Sequence, residues 1–395
     1  MIFKIPLATI ESLTTFARIF GSHQMKFVSM SMIKLLAFTL LVVFSTSISF
    51  ASGDNSTEKE FNVGEMIMHH IKDAHEWHLW GPEHGGTSIY LPVILLDEGM
   101  KVFSSKTLYH GELKSAIDHK THKTVTYYKG SGSAEGYGMF HEKIYKLNNG
   151  ELNFEDGHVH GNIKVFDFSI TKNVLSLFFG AAIILALMLS ISRFYKTNGA
   201  VSPKGLAKFI EPLVIVVRDD IAKENIGHGK HHKYVPYLLT IFFFIWINNL
   251  LGLVPVFPGG ANLTGNITIT FFLALCTLLM TLFSSNKNYW KHIFATPGVP
   301  IALMPIMIPI EIVGIFTKPF ALMIRLFANI TAGHIIILAL ISIIFINKNL
   351  AWGALSVPMA LFISCLEMLV AALQAYLFAL LSALFIGAAV EEAHH

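Results

Sequence analysis

Charge is scarce in this sequence. Asp, Glu, Lys and Arg make up 14% of its 395 residues, against roughly a quarter in an average soluble domain. That shortage argues against a soluble enzyme. Several apolar runs approach or exceed the ~20 residues that cross a bilayer core, which marks a multi-pass membrane protein. Cysteine is nearly absent. Cys276 and Cys365 both stand inside apolar runs, so they read as small buried hydrophobes and not as a disulfide or metal framework. There is no Gly-rich phosphate loop and no nucleophile constellation, so nucleotide chemistry belongs elsewhere and no cofactor is called for. Basic residues interleaved with aromatics are missing too, which sets nucleic acid aside as a partner.

At the front, Lys26 and Lys34 precede an apolar centre, Leu35 to Phe44, and a small-x-small end at Ser49-Phe50-Ala51. That pattern predicts a secretory signal over residues 1–51, cut before Ser52, with translation starting at Met25. An uncleaved anchor is the alternative. Residues 52–165 are polar, Gly-rich and His-rich, and predict a small α+β or mostly β exported domain. Glu65 to Trp80 has the spacing of a short amphipathic helix. Thr87 to Leu96, Thr124 to Tyr128 and Lys143 to Leu147 predict strands. Eleven histidines fall here, from His69 to His160. His75 and His78, three apart, would share a helix face and suggest a metal site, but no spacing matches a recognised ligand set. Solvated or interfacial histidines, or proton buffering near a channel mouth, are the other readings.

The rest, residues 166–392, is expected to be all-α and polytopic. It holds five hydrophobic units: Ile170 to Ile191, Tyr234 to Val254, Asn266 to Phe283, Pro305 to Phe345 and Trp352 to Val390. Asn248 and Asn249 are buried in the second. Between the first two, Ser202-Pro203 predicts a helix start. Leu206, Phe209, Ile210, Leu213, Val214 and Val217 then form the apolar face of a helix lying at the interface or packed as a short core element. Loops after the first and third units carry Lys and Arg, whereas Pro255 to Gly265 carries neither. Basic loops are cytoplasmic, so the N-terminal domain is exported and the C-terminus is cytoplasmic. The last two units are too long for a ~30 Å core. They predict a long tilted or bent helical hairpin, with Pro305, Pro309, Pro319 and Pro358 as places to bend.

Ionisable residues at membrane depth are costly, and by default functional. The hairpin holds Glu311, Lys318, Arg325, His334 and Glu367. Glu311, Lys318 and Arg325 are spaced by seven and share a face, which Asn329 extends. Folding the hairpin about its Asn347-Lys348-Asn349 turn sets Arg325 level with Gln374, and His334 level with Glu367. The acid-base pair then stands about 10–13 Å nearer the exported side than Arg325, and Glu311 about 21 Å toward the cytoplasm. Arg325 has no facing acid in its own chain, so its partner carboxylate is expected on another subunit. Ion pairs that glue the hairpin together, with Lys318 snorkelling to the headgroups, are the structural alternative.

At these residues the chain resembles subunit a of F-type ATP synthases. The resemblance rests on Lys318-Pro319, on Arg325-Leu326-Phe327-Ala328-Asn329 with Gly333, and on Leu373-Gln374-Ala375-Tyr376. Glu311 stands 14 residues before the Arg, as in the family pattern. Asn262 and Gly265-Asn266-Ile267-Thr268 match the polar entry to the third helix. The similarity runs over about residues 160–392, with the exported insert outside it. One departure stands out: family members often carry the acid where His334 is and the His where Glu367 is. The resemblance implies a non-catalytic proton-conducting stator subunit in a bacterial inner membrane, working against a ring of c subunits. It implies b-type peripheral stalk subunits and the soluble ATPase sector as further partners. His334, Glu367 and Asn266 would line an exported-side half-channel and Glu311 a cytoplasmic one. Arg325 would separate them, with Asn329 and Gln374 orienting polar contacts at its level. A secondary ion transporter is the runner-up, but it would show repeat symmetry between halves. A membrane-anchored His-rich metal sensor would leave the hairpin charges unexplained.

Overall fold

In the computed structural model the described residues are 64, 67, 71–80, 87–199, 201–203, 205–227, 229–254, 257, 259–294, 303–347 and 349–391. The expected signal segment lies outside them. So do His69, His70, His84 and Lys348, and the chain beyond Glu391.

The N-terminal region is built of short strands. Glu76–Trp80 (β1) pairs with Thr87–Tyr90 (β2). Pro92–Leu96 (β3) pairs antiparallel with Met100–Ser104 (β4), and one helical turn, Lys106–Tyr109, follows. Glu112–Ile117 (β5), Thr124–Lys129 (β6), Tyr137–Phe140 (β7) and Lys143–Lys146 (β8) form an antiparallel meander. Phe154–Glu155 (β9) and His158–Val159 (β10) make a small hairpin, and Phe166–Asp167 (β11) adds to the free edge of β3. Alternation decides the layers: Val93, Leu95, Phe103, Tyr137, Met139 and Ile144 turn inward and make the core.

The strand expected over Thr87 to Leu96 is interrupted at Leu91, whose N–H donates to His75 O at 3.2 Å and to Ser105 Oγ at 3.1 Å. The expectation of a helix through Trp80 fails over its last five residues, which are β1. Periodicity alone does not show that β2 is available to pair with them. His75 and His78 therefore do not share a helix face. His78 Nδ1 lies 3.1 Å from Ser88 Oγ, while His75 turns to Asp167.

His75 sits at the joint between this region and the first long helix, Lys172–Asn198 (α1). Its Nε2 is 2.9 Å from Asp167 Oδ2 and its Nδ1 is 3.8 Å from Glu142 Oε2. Burial would press the imidazolium down in pKa, but the two carboxylates overcome it and hold His75 at about 9. Asp73 secures the helix start, accepting from Thr171 Oγ1 at 2.9 Å and from Asn173 N at 3.0 Å. Thr171 is itself the N-cap and accepts from Val174 N. The joint is thus a buried polar knot and not a free linker.

Beyond α1 come Leu206–Ile215 (α2), Val235–Leu253 (α3), Ile267–Ser284 (α4), Lys287–Phe294 (α5), Met304–Ile346 (α6) and Gly353–Val390 (α7). Five of these, α1, α3, α4, α6 and α7, are long and apolar enough to cross a membrane, matching the five expected units. Nothing in the sequence pattern singled out α5. The expected start at Ser202-Pro203 is replaced by Leu206. Gly205 precedes it at φ 62°, a left-handed turn that aims the helix and favours glycine. After α2 the backbone widens into a π-helix over Val216–Lys223. Ile210, Val217 and Ile221 join the membrane core, whereas Leu206 and Phe209 stay outward. The apolar face expected there is therefore split between core and exterior.

The core sits between α3 and α7. Ala371, Ala375, Ala379 and Ala383 repeat every four residues on α7, all fully buried. Small side chains let two helix backbones approach closely, the usual basis of packing within lipid. At 1.5 Å per residue α6 and α7 run about 65 and 57 Å, with Pro309, Pro319 and Pro358 inside them. Chain direction sorts the ends into two faces. The N-terminus of α1, the α3–α4 loop and the α6–α7 turn share the face that bears the β-rich region. The opposite face holds the C-termini of α4 and α7, joined where Asn286 N donates to Ala389 O at 2.9 Å.

Candidate functional site

Two polar regions flank one exposed cation. On the β-bearing side, His334 Nε2 approaches Glu367 Oε1 at 3.8 Å, so the two residues set level by the hairpin register do meet. Glu367 is almost fully buried, and its carboxylate oxygens have no hydrogen-bond partner among the described residues. A buried carboxylate so placed calls for a proton, a water or a cation. Gly333 makes the room: a β-carbon there would lie 2.6 Å from the Glu367 carboxyl carbon.

Other helices complete this region. Asn266 is the N-cap of α4, its Oδ1 accepting from Thr268 N at 3.0 Å. Thr331, one turn before His334, donates to Gly265 O at 3.5 Å, bringing the α4 entry beside α6. Thr264 donates to Asn249 Oδ1, and both are buried. A β-carbon at Gly252 would stand 3.7 Å from His334 Nε2, so α3 closes the site from behind. Asn249 was legible as an amide inside an apolar run. Thr264 and Gly252 were not singled out, because a small or hydroxyl residue in such a context is usually structural.

Arg325 stands apart. It is exposed, as is Asn329 four residues on. The stripe Ile315, Pro319, Leu322, Leu326 and Ile330 is buried instead and turns α6 toward the bundle. Among the described residues Arg325, Lys318 and Glu311 make no ion pair with one another, so of the ion-pair glue expected as an alternative the His334–Glu367 contact is the part that is seen. Gln374 is buried, and no hydrogen bond links it to Arg325. Exposed apolar side chains stand along both helices of the hairpin, among them Phe316, Phe320 and Ile324 on α6 and Phe362, Leu366 and Leu369 on α7. Cys365 is exposed too, which corrects the expectation that it is buried.

Toward the opposite face, Thr281, Tyr289, Lys318 and Phe385 line a crevice. Lys318 Nζ lies 6.0 Å over the Phe385 ring. Burial pushes the Tyr289 hydroxyl up in pKa, and the nearby Glu311 carboxylate adds to it. Glu311 is thus near Tyr289 but is not one of the side chains that line the crevice. Deeper in, Tyr237 Oη, Thr277 Oγ1 and Ser382 Oγ form a chain at 3.1 and 3.2 Å.

This arrangement and its sequence have known counterparts. The family model described as the ATP synthase A chain matches residues 174–387, more than half of the chain. The chain belongs to the ATP synthase subunit a family. It is 47% identical over 255 residues to ATP synthase subunit a of Chloroherpeton thalassium, an alignment spanning 62% of this chain and 75% of the relative. To ATP synthase subunit a 2 of Chlorobaculum tepidum it is 49% identical over 254 residues, 62% of this chain and 70% of that one. ATP synthase subunit a of Myxococcus xanthus is 45% identical over 235 residues, 58% and 75% respectively. A separate model, a domain of unknown function (DUF8433), matches residues 66–168, the β-rich region. As a subunit a family member the chain is a multi-pass membrane protein with an additional β-rich domain ahead of its first span.

Proposed function

We propose that this chain conducts protons through two offset half-channels and passes them to a rotating ring of carboxylate-bearing c subunits. The observation that carries this is that Arg325 is exposed on α6, in a hairpin with many uncovered apolar side chains and with separate polar regions toward either end. A guanidinium left unpaired at membrane depth is costly. A ring carboxylate arriving there would neutralise it, and Arg325 would in turn keep that carboxylate ionised. Its fixed charge also bars a proton from crossing directly between the two regions.

His334, Glu367 and Asn266 form the exported-side entrance in this scheme, and Glu311 serves the cytoplasmic exit. His334 and Glu367 exchange a proton as a pair, which explains why their order along the chain can be reversed from the common family pattern. Gln374, buried beside this interface, and Asn329, exposed on it, orient polar contacts at the Arg325 level. The membrane potential supplies ~2.3 kcal/mol per charge per 100 mV. Peripheral-stalk and soluble ATPase subunits complete the machine. The membrane is a bacterial inner membrane with the β-rich domain exported, since Lys287 and Lys291 lie on the opposite face.

The test uses inverted vesicles carrying Arg325→Ala, with ATP-driven acidification and passive proton leak recorded together. Acidification is expected to vanish while ATP is still hydrolysed by an assembled complex, and passive leak is expected to rise. Normal acidification would overturn the assignment.

A further inference from the structure

The three-stranded sheet β11-β3-β4 has one face that nothing in the described chain covers. Register fixes which residues share it. Leu96 pairs with both Phe166 and Met100, and Ile94 pairs with Val102. Phe168 N donates to Ile94 O at 2.9 Å, placing Phe168 beside Ile94. Side chains alternate along a strand. Val93, Leu95 and Phe103 turn into the core, while Leu96, Met100, Val102, Phe166 and Phe168 turn out. Their exposures run from 47% to 71%. The Phe166 and Phe168 rings stack at 5.5 Å. A contiguous apolar face of this kind marks a binding surface.

The start of α1 lies beside this sheet. Ile170 N donates to Pro92 O, so the sheet's hydrogen bonding continues to within one residue of the α1 N-cap. No flexible linker lifts the domain away. The α3–α4 loop ties the domain to α1: its Phe257 packs edge-on against Trp77 of β1 at 5.1 Å and against Phe179 of α1 at 5.5 Å. Phe179 is about 10 Å along the helix from its start. The start of α1, where that helix would enter a bilayer, is thus packed against protein, with Asn173 and Ser176 buried.

We infer that the outer face of the β11-β3-β4 sheet rests on the bilayer surface, with Val102, Phe166 and Phe168 inserted among the lipid headgroups and upper acyl chains. Aromatic and aliphatic side chains at that depth act as interfacial anchors. The contact would hold the β-rich domain to one side of the exported-side entrance and leave that entrance open. It requires only that α1 crosses a bilayer, and is independent of how protons move.

The test uses the complete complex in proteoliposomes, with Cys276→Ala and Cys365→Ala as background. A polarity-sensitive dye is attached at Val102→Cys, at Phe166→Cys or, as a water-exposed control, at Glu112→Cys. ATP-driven acidification equal to that of the unlabelled, cysteine-free parent complex certifies each labelled complex, and the two test sites lie on different strands so that one damaged variant does not decide the matter. Nitroxide carried by shallow lipid positions is expected to quench positions 102 and 166 severalfold more than 112, with aqueous iodide showing the reverse. Iodide quenching at 102 and 166 equal to that at 112 would place the face in water and overturn the inference. Protection from both quenchers would place it under another protein subunit and overturn it as well.

Discussion

A methyl group at Gly333 would stand 2.6 Å from the carboxyl carbon of Glu367, so only a glycine here leaves that carboxylate its place. Gly333→Ala should push the carboxylate away from His334. Overpacking of this kind costs about 1–3 kcal/mol, and ATP-driven acidification in inverted vesicles is expected to fall while the complex still assembles. The pair itself allows a second experiment at this scale. His334→Glu alone sets two carboxylates against each other and should suppress acidification. Adding Glu367→His restores one acid and one base, and should recover part of the rate. Equal loss in single and double variants would show that position, and not the pair, is what counts. The sequence disclosed both residues through simple level-matching, because a helical hairpin is a rigid ruler. It did not disclose Gly333 as the space for Glu367, since a glycine's use depends on what faces it.

At the scale of elements, the long hairpin is held at its far end by borrowed hydrogen bonds. The last carbonyls of a helix have no partner of their own. In α7 the Val390 carbonyl accepts from Asn286 Nδ2 at 2.9 Å and from Lys230 Nζ at 3.0 Å. Asn286→Ala removes one of these bonds and should lower stability by about 1 kcal/mol, read as a drop in the thermal midpoint of the detergent-solubilised protein. Lys230→Met should behave similarly. Element existence was legible from apolar length, and the proposed orientation rests on where Lys and Arg fall. The π-helix after α2 was not legible. Its extra residue per turn shifts Val216 and Val217 inward together, and an ideal 3.6-residue period cannot represent that change of face. The short α5 was hidden for another reason: one amphipathic stretch of eight residues is too brief to stand out.

For the whole molecule, the joint between the β-rich region and α1 carries its own pH dependence. His75 is raised from 6.5 to about 9 by Asp167 and Glu142 acting against its burial. A raised pKa means that the folded joint binds the proton more tightly than the unfolded chain does. Its contribution, on the order of 3 kcal/mol, is complete below pH 6.5 and is lost as pH rises through about 9. Thermal melts between these limits should show a loss of stability in the native protein that is much reduced in His75→Gln. Parallel curves for the two would remove His75 as the cause.

The sequence by itself determined the membrane character, the five spans, the length of the last two and the charged residues at their depth. Those follow from hydrophobicity and helical period, which are local. Only the tertiary structure decided that Arg325 faces outward, that Thr264 and Asn249 join the His334–Glu367 region, and that His75 meets Asp167 and Glu142 at a joint. Each depends on which surfaces of distant segments are brought together, and packing sets that across the whole chain.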